Sequence, residues 1–326
     1  MTITLIATVL NEGDNIHRLM DTIQQQTRQP NEIIIVDGGS RDQTVEILRR
    51  YERILPLRVL IEPGCNISRG RNVALAAATG DIIAITDAGV YLDNDWLETI
   101  TQPLIDNPSC TVSAGFFRAD PQTVFEAALG ATTLPLVNEV NPTTFLPSSR
   151  SVAVRRAAAT QVGGYPEWLD YCEDLIFDLR LQATQPPFVF VPHATAHFRP
   201  RPTLTSFYKQ YYRYARGDGK ADLWRRRHAI RYGIYLLALP LLIGLMLFVH
   251  PAFALLLLIG GALYTRTPYR RLPIVMQALQ KATVFDWIYA ICLIPVIRVV
   301  GDVAKMIGYP VGLMWRGQHN PPQWKL

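Results

Sequence analysis

Charge and cysteine are both scarce in this 326-residue chain. Only 18% of its residues are Asp, Glu, Lys or Arg, below the ~25% of ordinary soluble domains. That scarcity, with 49% hydrophobic residues, excludes a disordered chain and a charged nucleic-acid-binding tail. Four cysteines (Cys65, Cys110, Cys172, Cys292) lie far apart with no C-x-x-C. Neither a disulfide framework nor a cysteine zinc site is expected. No G-x-G-x-x-G follows the first apolar run, and no G-x-x-x-x-G-K-[ST] occurs. The dinucleotide and P-loop readings lose their main support. The N-terminus, MTITLIATVLNEGDN, has no basic run before its apolar stretch. It reads as a first strand and not a secretion signal, so the front domain is expected in the reducing cytosol.

Acidic residues are scarce in one place above all. Residues 225–326 carry 2 Asp/Glu against 12 Lys/Arg, net +10; residues 1–224 carry 25 against 20, net −5. The pooled +5 therefore averages two different objects, a domain at 1–224 and a basic, membrane-associated region at 225–326. Between Arg231 and Arg266 lie 34 uncharged residues. One straight helix of that length would run ~51 Å, too long for a bilayer core of ~30 Å. His250-Pro251 splits the run, so a transmembrane hairpin is expected at Tyr232–Val249 and Ala252–Tyr264. Arg225, Arg226, Arg227 and Arg231 precede it and Arg266, Arg270 and Arg271 follow. The positive-inside rule puts both ends in the cytoplasm, at the plasma or inner membrane. A third apolar stretch, Trp287–Met314, is interrupted by Arg298, Asp302 and Lys305. Their spacing lets them pair on one helix face, and the segment either spans or lies in the interface.

The front of the chain alternates strands and helices. Ile3–Leu10, Glu32–Val36, Leu57–Ile61 and Asp81–Thr86 read as strands. Asn15–Gln26, Thr44–Tyr51 and Arg69–Ala78 read as helices, the first with Ile16, Leu19, Met20 and Ile23 on one face. Such alternation implies an α/β fold, a mostly parallel sheet with helices on both faces, and ligands at the carboxyl ends of the strands. Polar residues stand at three of those ends: Asn11-Glu12, Asp37 and Asp87. Asp37 can accept hydrogen bonds from a base or ribose, or cap its own turn at Gly38-Gly39.

Four segments, TLIATVLNE, IIIVDGGSRDQT, SRGRNVALAAATGDIIAITDAG and YCEDLIFDLRL, resemble the family-2 glycosyltransferases of the GT-A fold, in order and across residues 3–224. The resemblance implies transfer of a sugar from a nucleotide-diphosphate donor to an acceptor hydroxyl, with inversion at the anomeric carbon. By motif position it implies a donor pocket of Thr8, Asn11, Glu12, Asp37, Gly39, Arg71 and Asp87. A guanidinium at Arg71 suits a diphosphate. Asp87 matches the first acid of the D-x-D motif, which here reads Asp87-Ala88-Gly89 and lacks its last acid. Asp87 with His197 is the expected site for Mg2+ or Mn2+, hard cations that prefer oxygen ligands. Glu173-Asp174 matches the E-D pair, with Asp174 as base and Glu173 in a positioning role. Asp93 and Asp95 read as loop or cap residues. Gln210, Arg213 and Arg216 resemble the Q-x-x-R region of membrane polysaccharide synthases, with Tyr214 where those have Trp. The segment SFYKQYYRYARGDGKADL is more similar to succinoglycan-assembly transferases, whose acceptors are lipid-linked. Those basic residues are expected to hold a diphosphate or acceptor, or to lie on anionic headgroups. The expected partners are thus a nucleotide-diphosphate sugar, a lipid-linked or saccharide acceptor and the membrane, with no nucleic acid. Two other readings stand beside this one: a polyprenyl-phosphate sugar synthase, and a non-catalytic GT-A-like binding module.

Overall fold

Runs of β-branched residues define the sheet, because branched side chains pack well on a pleated surface. A computed structural model describes residues 1–324 of the chain. Its strands are β1 (Ile3–Val9), β2 (Glu32–Asp37), β3 (Leu57–Ile61), β4 (Ile82–Ile85), β5 (Val90–Leu92), β6 (Val112–Ala119), β7 (Val152–Arg155) and β8 (Val189–Phe198). Its helices are α1 (Ile16–Gln24), α2 (Thr44–Tyr51), α3 (Ile67–Ala77), α4 (Trp96–Asp106), α5 (Val124–Thr133), α6 (Arg156–Gln161), α7 (Glu173–Thr184), α8 (Leu204–Lys220), α9 (Arg225–Gly233), α10 (Leu239–Phe248), α11 (Ala254–Met276) and α12 (Val284–His319).

The chain divides into two compact units. The first is built mainly from Met1–Arg118 and Leu136–Phe198, the second from Ala119–Pro135 and Arg199–Pro321. This differs from a cut at residue 224. α8 carries glycines and aromatic residues along one face, and that face is matched by α12 and not by the sheet.

In the first unit the sheet runs β3-β2-β1-β4-β7-β6-β8-β5. β1 pairs in parallel with β2 and β4, and β2 with β3. β7 then joins β4 antiparallel, as β6 joins β7 and β5 joins β8. The parallel ladder is therefore confined to the first four strands, where each connection is a helical crossover. Because side chains alternate along a strand, β1 feeds two cores. Leu5, Ala7 and Val9 meet Ile16, Leu19 and Met20 of α1 and Trp96 of α4. Ile6 meets Ala74 of α3 and Phe177 of α7 on the other face. Each such fully buried Ile or Leu contributes about 1.5–3 kcal/mol.

In the second unit the helices pack through small residues. Ala127, Ala128 and Ala131 of α5 share a core with Leu272 and Met276 of α11 and Ile294 and Ile297 of α12. α8 and α12 touch backbone to backbone. A side chain at Gly308 would overlap the Tyr212 carbonyl, and one at Gly312 the Arg216 carbonyl. Small residues at such spacing let two helices close in. The break expected at His250-Pro251 is present: α10 ends at Phe248, and His250 Nδ1 accepts the Ala252 amide at 3.1 Å. α11 runs on past Tyr264 to Met276, through Arg266, Arg270 and Arg271. Among the described residues two helices, Arg225–Phe248 and Val284–His319, are long and apolar enough to cross a membrane. The large side chains of this region face outward, Leu237 being 72%, Leu258 69% and Phe248 87% exposed. α12, at 36 residues, would measure ~54 Å and exceeds a single perpendicular span.

Among the described residues no hydrogen bond or ion pair within 4 Å joins Arg298, Asp302 and Lys305, although Lys305 and Asp302 still attract one another. Asp302 bonds across to other helices, to Arg231 Nε at 2.8 Å and to the Tyr264 hydroxyl at 2.6 Å.

Candidate active site

The turns that follow β1 and β2 are stitched together by hydrogen bonds. The Asn11 amide donates to Ser40 Oγ at 2.8 Å, and Asn11 Oδ1 accepts from the Arg41 amide at 2.9 Å. The Glu12 amide donates to Thr44 Oγ1 at 2.9 Å. Asn11 has φ 54°, a left-handed conformation that Asn tolerates better than most residues. Thr8 sits on β1 with its methyl group against Gly70 of α3, where an added Cβ would lie 2.9 Å away. Gly39 has φ +96°, and a Cβ there would stand 3.1 Å from Pro63 Cα. Only glycine fits that turn without strain.

Asp37 is fully buried at the end of β2. Its Oδ1 accepts the Gly39 and Ser40 amides, both at 2.8 Å, and its Oδ2 accepts the Ser40 hydroxyl. Of the two uses open to it in sequence, the carboxylate is occupied with the turn. It thereby fixes the loop a ligand would lie against.

Arg71 is the hub of the site. It is 2% exposed on α3 and reaches two carboxylates 102 and 16 residues away in the chain. NH1 donates to Glu173 Oε1 and NH2 to Asp87 Oδ1, both at 2.7 Å. Its Cζ lies 5.0 Å from the centre of the Tyr165 ring, within cation–π range. Tyr165 in turn stacks on Phe177, and its hydroxyl lies 3.1 Å from Ser149 Oγ. The expectation that Arg71 grips a diphosphate thus meets a side chain already spent on two carboxylates. Arg150, on the loop before β7, is more accessible at 23% exposure and places Nε 3.6 Å from Asp87 Oδ2.

The adjacent carboxylates Glu173 and Asp174 separate at the start of α7. Glu173 turns inward to Arg71, whereas Asp174 is half-buried and its Oδ1 accepts the Leu175 amide at 2.8 Å. Cys172, just before them, has φ 66°. A non-glycine residue in that region carries backbone strain, which proteins retain mostly at functional sites. One turn further on, Asp178 is buried with Oδ2 unpaired.

The acids therefore crowd one guanidinium. Burial, reinforced by Asp174, raises the Glu173 pKa to about 7 in spite of Arg71. Burial, again with Asp174, pushes Asp178 well above the usual carboxylate range. Burial also opposes ionisation of Asp87, but Arg71 and Arg150 outweigh it and hold that carboxyl low. The site thus keeps one outer carboxylate charged and stores protons behind it.

His197 lies on β8, opposite Tyr91 in the β5 ladder that begins three residues after Asp87. The two rings stack at 4.5 Å. Asp93, expected as a loop cap, instead contacts His197 Nε2 at 2.9 Å. The Asp93 carboxylate orients the His197 ring through that nitrogen. Asp87 Oδ2 faces Arg150 Nε at 3.6 Å. Asp87 and His197 are the two groups expected to hold a divalent cation. Among the described residues no cluster of three or more His, Cys, Asp or Glu suited to a metal occurs. Gln210, Arg213 and Arg216 lie on α8 in the helical unit, where Gln210 Nε2 donates to the Tyr214 hydroxyl at 2.8 Å.

A mixed sheet with polar groups gathered at strand ends is the GT-A architecture. The mannosyltransferase PcManGT from Pyrobaculum calidifontis, solved with GDP-Man and Mn2+, superposes with a TM-score of 0.57 at 19% identity, covering 98% of this chain and 87% of that one. Staphylococcus aureus TarS 1-349 with UDP-GlcNAc gives 0.51 at 19%, covering 98% and 92%. The profile of glycosyl transferase family 2 matches residues 4–159, and that of glycosyl transferase family group 2 matches residues 133–298. The chain belongs to the family-2 glycosyltransferases. The glycosyltransferase AglE of Haloferax volcanii is 25% identical over 74% of this chain and 80% of its own length. The succinoglycan biosynthesis protein ExoA of Rhizobium meliloti is 26% identical over 74% and 77%. The O-antigen chain rhamnosyltransferase RfbN of Salmonella typhimurium is 25% identical over 56% and 61%.

Proposed function

We propose that the chain is a membrane-anchored inverting glycosyltransferase of cell-surface polysaccharide synthesis. It moves a sugar from a nucleotide diphosphate to an acceptor hydroxyl, carried on a lipid-linked saccharide. The observation that carries this reading is the Asp87–Arg71–Glu173 bridge with Asp174 beside it. Similar proteins named for succinoglycan and O-antigen synthesis support the polysaccharide role. Structural neighbours solved with GDP-Man and UDP-GlcNAc support the donor class.

In this mechanism Asp174 accepts the proton of the acceptor hydroxyl, whose oxygen attacks the anomeric carbon from the face opposite the leaving diphosphate. One displacement inverts the centre. Glu173, tied to Arg71, holds the start of α7 in place and keeps the second acid out of the proton transfer. Arg150, the more exposed guanidinium, binds the diphosphate. Asn11, Glu12 and the Gly39 turn that Asp37 fixes line the nucleoside pocket. A divalent cation, Mg2+ or Mn2+, would be held by Asp87 and His197 and would neutralise charge on the departing diphosphate. The helical unit anchors the enzyme through its apolar helices Arg225–Phe248 and Val284–His319, with the sheet unit on the cytoplasmic side. Anchoring confines the enzyme to the surface where a lipid-linked acceptor lies, which raises their effective concentration.

Asp174→Asn should lower sugar transfer by about 10²–10⁴-fold, the usual worth of a general base, with nucleoside diphosphate binding retained. Unchanged transfer would remove Asp174 from the role. Nucleoside diphosphate release that does not respond to a lipid-linked acceptor would remove the acceptor class.

A further inference from the structure

α12 contains two prolines, Pro295 and Pro310. Proline has no backbone N–H, so each leaves the carbonyl four residues earlier without its helical donor. Those carbonyls belong to Ile291 and Met306. Each is met by a tyrosine from another helix. The Tyr269 hydroxyl of α11 donates to the Ile291 carbonyl at 3.2 Å, and the Tyr232 hydroxyl of α9 donates to the Met306 carbonyl at 2.6 Å. Both hydroxyls thus supply the donor that a proline removed. A carbonyl without a donor is costly in an apolar bundle, and proline persists in such helices where a neighbour provides one.

The prolines divide α12 into three pieces, each held differently. Residues 284–294 place Ala290 and Ile294 in a core with the alanines of α5 and Leu272 of α11. Residues 295–309 are tied at Asp302, which accepts from Arg231 Nε at 2.8 Å and from the Tyr264 and Tyr235 hydroxyls at 2.6 and 3.2 Å. Residues 310–319 are fitted to the end of α8. A side chain at Gly312 would overlap the Arg216 carbonyl, and Arg316 NH1 donates to the Lys220 carbonyl at 2.9 Å. At each proline the ladder that keeps neighbouring pieces in line lacks one bond, and helices bend at such places. The Met306 bond lies between the tied centre and the piece that holds the end of α8.

We propose that Tyr232 and Tyr269 are latches on two proline hinges of α12. With both hydroxyls in place the three pieces stay in line. When Tyr232 lets go, the 310–319 piece pivots and takes the end of α8 with it. Arg216, one of the residues expected to hold a diphosphate or acceptor, lies on the part of α8 that moves. The device itself is independent of what the enzyme transfers.

The test is a double-substitution cycle on the purified full chain in phosphatidylcholine nanodiscs, read by thermal unfolding and by amide hydrogen exchange. Tyr232→Phe removes one oxygen and should lower the unfolding temperature. It should also speed exchange of the amides flanking Pro310 by about threefold to tenfold, the worth of one hydrogen bond. Pro310→Ala returns an amide N–H to the Met306 carbonyl. In that background Tyr232→Phe should cost less than half as much. Tyr269→Phe with Pro295→Ala should behave in the same way around Pro295. Tyr289→Phe, at an exposed tyrosine of the same helix, should change neither reading. An equal loss in the proline and alanine backgrounds overturns the proposal, because the hydroxyl then acts on something other than the freed carbonyl. So does unchanged exchange beside the proline, or an equal effect of Tyr289→Phe. The link to α8 has its own readout. Exchange at residues 216–220 should quicken in Tyr232→Phe and stay unchanged in Tyr269→Phe, and the same exchange there in both variants removes the pivot. Should Pro310→Ala not fold, Tyr232→Phe decides alone: exchange must quicken beside Pro310 and at 216–220, and must stay as in wild type around Asp302.

Discussion

Arg71→Ala is the most informative single substitution in the sheet unit. It removes a 2%-exposed guanidinium that holds Asp87 and Glu173 at 2.7 Å each. Breaking a buried pair leaves an uncompensated charge and typically costs about 3–5 kcal/mol. Units of 150–250 residues lose about 2–4 °C per kcal/mol, so the unfolding temperature should fall by roughly 6–20 °C. The assay is thermal unfolding of the full chain, followed by the near-ultraviolet circular dichroism of its aromatic residues, buried Trp96 among them. Arg71→Lys keeps the charge but cannot fork between two carboxylates, and should fall between wild type and alanine. The decisive arm is Arg71→Ala with Glu173→Gln. At pH 8 or above, where Glu173 would otherwise be charged, neutralising the stranded acid should recover about 1–3 kcal/mol, a coupling that residues in contact show. A loss below about 1 kcal/mol for Arg71→Ala, or a second substitution that only adds to it, would refute the account of Arg71 as a bridge.

Three further outcomes follow from other features. Burial raises Glu173 from 4.5 to about 7, so folding favours its neutral form. The stability this gives is full below pH 4.5 and is lost as pH rises through about 7. Glu173→Gln should therefore flatten the fall in unfolding temperature across that window, and an unchanged slope would count against the raised value. Gly308→Val places a side chain on the Tyr212 carbonyl and should cost at least the ~1–3 kcal/mol of an overpacked contact, read as a lower unfolding temperature of the helical unit. Asp93→Asn alters the acceptor on His197 Nε2 and should weaken Mn2+ binding about 10–100-fold, measured by calorimetric titration with nucleoside diphosphate present. Undiminished Mn2+ affinity would take His197 out of the cation site.

What was legible in the sequence is what repeats locally. The apolar face of α1, the buried strands and the acids at their ends follow from periodicities of 3.6 and 2. Partners distant in the chain were not legible. Nothing near Arg71 announces Glu173, 102 residues on, and so the arginine read as a free phosphate ligand. Asp93 read as a cap because its partner His197 lies 104 residues away. Tyr165, Arg150 and Asp178 passed unnoticed, since each acquires its role only from the tertiary neighbours it meets. One signal was present and unused: Gly301, Gly308 and Gly312 recur on one face of α12, a spacing that announces a close helix partner. It explains why α8 groups with α12 and not with the sheet, although it lies before residue 224.

That glycine face also sets an order of events. α8 is made early, but the backbone that fits it at Gly219 includes Gly312, near the end of the chain. At roughly 5–20 residues per second of synthesis, α8 waits several seconds for its partner. During that interval its tyrosines and its bare glycine backbone are uncovered, while the greasy α10 and α11 are already emerging. Correct assembly of this enzyme is then a matter of timing. A pause or premature stop after α11 would leave a finished sheet unit joined to a helix with nothing to close on.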